Sequence, residues 1–62
     1  MTPYFSHPHA LVESKKIGAG TKIWAFVHIL KEALIGMNCN IGDGCFIESG
    51  AIIGDCVTIK NN

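Results

Sequence analysis

Apolar residues return along this chain with a period of six. Ile17, Ile23, Ile29, Ile35, Ile41, Ile47, Ile53 and Ile59 share one phase, and Leu11 and Phe5 extend it toward the N-terminus. Only Ile52 is out of phase among the nine isoleucines. An amphipathic helix repeats every ~3.6 residues and a half-buried strand every ~2, so neither alone produces this pattern. Six residues are what one short strand and one corner consume in a hexapeptide β-helix.

From Leu11 the chain divides into LVESKK, IGAGTK, IWAFVH, ILKEAL, IGMNCN, IGDGCF, IESGAI, IGDCVT and IKNN. The first place is always a large aliphatic. The fifth is usually small: Thr21, Val27, Ala33, Cys39, Cys45, Ala51 and Val57. Side chains two apart on a strand share a face, so the fifth place of one hexad and the first of the next both point inward. The second place is Gly at 18, 36, 42 and 54, and these glycines are expected at corners where φ is positive. Asn38, Asn40, Asp43 and Asp55 are expected at the same corners.

Three hexads to a turn place residues 18 apart in vertical columns. The expected inward columns are Ile17–Ile35–Ile53, Ile23–Ile41–Ile59 and Leu11–Ile29–Ile47. On the outside, His28 is expected below Phe46, Leu34 below Ile52, and Glu13 below Lys31 as an exposed ion pair. The predicted fold is all-β: a parallel β-helix of about three coils over 11–62, preceded by an extended segment, 1–10. A helix through WAFVHILKEALI competes with this, because Phe26, Ile29, Leu30, Ala33 and Leu34 share a helical face. The isoleucine phase enters and leaves that stretch unchanged, which a helix has no reason to preserve.

Composition narrows the function. With 48% hydrophobic residues, 16% charged, and five Lys+Arg against five Asp+Glu, the chain is too apolar for disorder and lacks the basic surface of a nucleic-acid binder. No apolar run approaches a membrane span, and the first residues lack a secretory pattern, so the expected location is cytoplasmic. Cys39, Cys45 and Cys56 form no CxxC pair. Cys39 and Cys45 fall at the small inward place and are expected to be buried. Cys56 is expected to face outward.

Trp24, Phe26, Leu30, Leu34, Met37 and Phe46 are expected to point away from the prism. That much outward apolar surface predicts association, and a three-sided prism closes naturally into a homotrimer. The expected interface is Trp24, Phe26, Leu30, Leu34 and Phe46. Trp24 and His28 are the candidate substrate-binding residues: an indole can stack on a base, and an imidazole can accept a proton near neutral pH. His7-Pro8-His9 has two ligand types but lacks a third nearby, so no metal site is expected.

The phrases IGAGTKIWAFVHI, IGMNCNIGDGCFIE and IGDCVTIKNN, with HPHALVES before them, resemble the hexapeptide-repeat acyltransferases with a left-handed β-helix. They are most similar to the bacterial sugar-nucleotide N-acetyltransferases. This resemblance implies a trimer that uses acetyl-CoA, needs no metal, and acetylates an amino sugar linked to UDP or dTDP for surface-polysaccharide synthesis. Catalytic and CoA-contacting residues of such enzymes lie mostly in later coils, so no catalytic residue is assigned here. The chain alone is expected to be inactive and to bind no acetyl-CoA tightly. The alternative is a short structural module that trimerises or stacks end to end without catalysis.

Overall fold

A computed structural model describes residues 4–60. Ten strands of two residues each form three parallel sheets. Sheet 1 stacks β1 (Phe5–Ser6), β4 (Lys22–Ile23), β7 (Asn40–Ile41) and β10 (Thr58–Ile59). Sheet 2 stacks β2 (Leu11–Val12), β5 (His28–Ile29) and β8 (Phe46–Ile47). Sheet 3 stacks β3 (Lys16–Ile17), β6 (Leu34–Ile35) and β9 (Ile52–Ile53). The stretch from Trp24 to Ile35 holds β5 and β6 joined by turns, with no helix. Among the described residues no helix is long and apolar enough to cross a membrane.

The core follows the hexads. Ile17, Ile23, Ile29, Ile35, Ile41 and Ile47 are buried, and Val27, Ala33, Cys39 and Cys45 fill the small places between them. Cys56 is exposed. Ile52 breaks the isoleucine phase because it faces outward, paired above Leu34. Thr21 is the polar member of the small set. Its Oγ1 donates to the Gly36 carbonyl at 2.7 Å and accepts the Cys39 N–H at 3.3 Å, which offsets the cost of burying a hydroxyl.

From Lys16 upward every register is 18: Ile17 pairs with Ile35, Ile23 with Ile41, and Ile29 with Ile47. The first coil is shorter. Phe5 pairs with Lys22 and Leu11 with His28, a step of 17. The inward residue below Ile29 is therefore Val12, and Leu11 and Phe5 are exposed, contrary to the expectation from the phase. The cause is the corner between Val12 and Ile17, which is one residue short of a hexad. Ser14 is buried there, and its hydroxyl donates to the Ala33 carbonyl. The short corner also re-pairs the charges. Glu13 meets His28 rather than Lys31, and Lys16 meets Glu32 at 3.1 Å.

The corners differ from expectation too. From IGAGTK onward positive φ falls on the fourth place of the hexads, at Gly20, Phe26, Glu32, Asn38, Gly44, Gly50 and Cys56, and not on the second-place glycines 18, 36 and 54. Four of these turned residues are tied to the coil below, Phe26 through the His9 carbonyl. The N–H groups of Asn38, Gly44 and Cys56 donate to the carbonyls of Ala19, Ala25 and Met37 at 2.9, 3.0 and 2.8 Å. The second-place glycines answer to crowding instead. A Cβ on Gly18 would lie 2.6 Å from the Gly36 carbonyl carbon, and one on Gly36 would lie 2.8 Å from that of Gly54. Asn40, expected at a corner, lies in β7.

Candidate functional site

Three outer walls carry three different chemistries. The wall of sheet 1 shows Phe5, Lys22, Asn40 and Thr58 in register. That of sheet 2 shows Leu11, His28 and Phe46. Sheet 3 shows Lys16, Leu34 and Ile52. Sheets 2 and 3 thus present apolar surface on adjacent faces. Phe46 is 58% exposed, Leu34 43% and Ile52 77%.

His28 stands at the centre of the sheet 2 wall. Its Nε2 lies 2.9 Å from Glu13 Oε2, and its ring meets Phe46 edge-on at 5.5 Å. The carboxylate can only accept, so Nε2 is the donor of that bond. Glu13 reaches the histidine only because of the short first coil.

Trp24 lies elsewhere. It follows β4 at the corner between sheets 1 and 2, half-buried, with Nε1 donating to Asn40 Oδ1 at 2.9 Å. Its ring packs 5.3 Å from Phe5. Phe26 is at the tip of the same corner with φ at 61° and is 70% exposed. His9 stacks on it at 5.5 Å, and the Phe26 N–H donates to the His9 carbonyl. Leu30 is half-buried at the next corner. The structure therefore brings His28 to Phe46, while Trp24 packs on Phe5 and Phe26 on His9. Leu34 lies on a third side.

The hexad pattern misplaces two residues of this surface, Phe5 on the inward column and Glu13 against Lys31, because both depend on the shifted first coil. A groove of about 250 Å³ opens where that coil turns from sheet 2 to sheet 3, lined by Glu13, Ser14, Lys15, Lys16, Lys31 and Glu32. Among the described residues no group of three His, Cys, Asp or Glu side chains is placed to hold a metal.

The repeat and its geometry find a match among known families. Residues 14–49 fit the family described as bacterial transferase hexapeptide (six repeats). The chain belongs to this hexapeptide transferase family. The match begins at Ser14, in the short corner just before the 18-residue register sets in. Within the family, 37 residues are 70% identical to the dTDP-3-amino-3,6-dideoxy-alpha-D-galactopyranose 3-N-acetyltransferase of Aneurinibacillus thermoaerophilus. That alignment takes in 60% of this chain and 19% of the relative, so the chain spans about a fifth of the length of the curated protein it matches.

Proposed function

We propose that this hexapeptide transferase chain forms coils of an acetyl-CoA-dependent N-acetyltransferase acting on an amino sugar carried by dTDP or UDP, in the service of surface-polysaccharide synthesis. The observation that carries the reading is the 70% identity over 37 residues to an enzyme named for acetylating a dTDP-linked 3-amino sugar. The protein is proposed to work as a cytoplasmic homotrimer. The apolar walls of sheets 2 and 3 support that assembly, with Trp24, Phe26, Leu30, Leu34 and Phe46 at or beside the contacts between copies. Trp24 and His28 are proposed to border the sugar nucleotide.

The residues of this chain do not by themselves fit acetyl-CoA. The groove at the first corner, about 250 Å³, is smaller than the ~300–1,000 Å³ of drug-sized ligand sites, and three of its charged side chains are already engaged, Lys16 with Glu32 and Glu13 with His28. No step of acetyl transfer is assigned to these coils. Their proposed work is to hold a wall of the site and the faces that join copies.

A chimera tests this directly. The matched 37-residue stretch of the Aneurinibacillus enzyme is replaced by the residues of this chain, and acetylation of that enzyme's own dTDP-amino sugar is measured. Retained turnover is the expected result. A folded chimera of unchanged oligomeric state that no longer transfers acetyl groups would overturn the reading.

A further inference from the structure

Four hexads place Gly second, and IWAFVH places Trp24 there. The exchange has a consequence on the wall of sheet 1. Trp24 leaves β4 at the corner between sheets 1 and 2, and the residue directly above it is Gly42, by the register that sets Ile23 under Ile41. Gly42 has no side chain to stand between the indole and the wall. Trp24 Nε1 donates to Asn40 Oδ1 at 2.9 Å, and Phe5, one coil below, packs on the indole at 5.3 Å. An indole N–H only donates, so the Asn40 atom that it meets is the amide oxygen. The Asn40 amide is thereby held in one orientation. Both protons of its Nδ2 are left over, and Nδ2 has no acceptor among the described residues.

Asn40 is the middle rung of a ladder. Lys22, Asn40 and Thr58 stand in register on the outside of sheet 1, about 4.8 Å apart from strand to strand. Lys22 and Thr58 are exposed, and Asn40 is half-buried. The ion pairs of the described residues are Lys16–Glu32 and Glu13–His28, so the Lys22 ammonium is unpaired. No strand of sheet 1 carries an acidic residue. Asp43 and Asp55 occupy the flanking corners, and Asp55 is tied to the Met37 N–H at 2.9 Å. Three donors in a row, one of them cationic, select an anion that accepts from each. The exposed aliphatics Leu11, Leu34 and Ile52 lie on the other two walls, which are proposed above to join copies, so the ladder stays open to solvent in that assembly.

We infer that the sheet 1 wall is an anion site for a diphosphate lying along the prism axis, with one phosphoryl group on Lys22, the next on Asn40 Nδ2, and Thr58 donating beyond them. Trp24 is a positioning residue that acts through Asn40. The ligand class rests on the function proposed above, because the matched enzyme is named for a dTDP-linked sugar, whose two phosphoryl groups are adjacent.

The test is a titration of the isotope-labelled 62-residue chain with sodium pyrophosphate, followed by heteronuclear NMR at constant ionic strength so that general screening is held fixed. Saturable shifts are expected at the Asn40 side-chain amide, the Trp24 indole N–H and the backbone amides of Lys22 and Thr58. Inorganic phosphate reaches one rung and is expected to bind at least about fivefold more weakly. Asn40→Asp turns the donor into a carboxylate and is expected to weaken pyrophosphate binding at least about tenfold. Lys22→Gln alters only an exposed, unpaired side chain and is expected to weaken it about fivefold. Trp24→Phe keeps a ring against Phe5 and removes the N–H. It is expected to shift the Asn40 side-chain amide of the free chain and to weaken binding about threefold, with the core isoleucine methyls in place. Shifts no larger than sodium chloride produces would overturn the inference. So would shifts centred on Lys15 and Lys31, or unchanged binding by both Asn40→Asp and Lys22→Gln. An inactive chimera beside intact pyrophosphate binding would defeat the acetyltransferase reading alone. An active chimera beside absent binding would defeat the anion site alone.

Discussion

The first coil and the coils above it contain similar hexads and close differently. Above Lys16 the register is 18, and the inward column is isoleucine on isoleucine. Below it the register is 17, the inward partner of Ile29 is Val12, and Ser14 replaces an aliphatic in the small place. One missing residue in a corner rotates a whole strand, because side chains alternate faces every residue. Leu11 moves out and Val12 moves in. Both are aliphatic, so the substitution leaves no trace in the hydrophobic pattern.

The largest expected contrast is in the core. Ile29→Ala removes a side chain with no exposed surface and should cost about 2–5 kcal/mol. Val12→Ala, one coil below in the same column, should cost about 1 kcal/mol, because Val12 is only partly buried. Urea denaturation of both variants measures the difference. Similar costs would mean that the lower coil packs as tightly as the middle one.

The next contrast lies between two buried hydroxyls. Thr21→Ala strands both the Gly36 carbonyl and the Cys39 amide, with an expected loss of about 2 kcal/mol. Ser14→Ala removes the bonds to the Ala33 carbonyl and the Lys16 amide nearer the end of the prism, where water can replace them, with an expected loss of about 1 kcal/mol. The reverse order in chemical denaturation would place the tighter hydroxyl in the short corner.

The smallest effect carries the opposite sign. Glu32 sits at φ 67° in a corner whose counterpart one coil up is Gly50. Glu32→Gly removes about 1 kcal/mol of left-handed strain and loses the exposed bond to Lys16, worth at most about 0.5 kcal/mol. A net gain of about 0.5 kcal/mol is expected in the same titration. A loss would show that the corner tolerates the side chain without strain.

Much of this architecture was legible in the residues. The phase of eight isoleucines marks the inward face and the burial of Cys39 and Cys45. It also sets Phe46 above His28 and Ile52 above Leu34. What escaped was whatever depends on counting through a corner. The Glu13–His28 pair exists because Val12 and Ile17 are five apart, and a phase analysis cannot see a deletion that leaves an aliphatic on each face. The left-handed fourth place escaped for another reason. Phe26, Glu32 and Cys56 are not residues that signal a positive φ, and for Phe26 and Cys56 the left-handed corner lets the amide donate to the coil below.

The stacking itself is tested most directly by methyl contacts in solution. Nuclear Overhauser spectra of a methyl-labelled chain should show Ile29 in contact with Val12 below and Ile47 above, with no contact between Ile29 and the Leu11 methyls. A spectrum linking Leu11 to Ile29 would contradict the short first coil. One lacking the contact between Ile29 and Ile47 would contradict the prism.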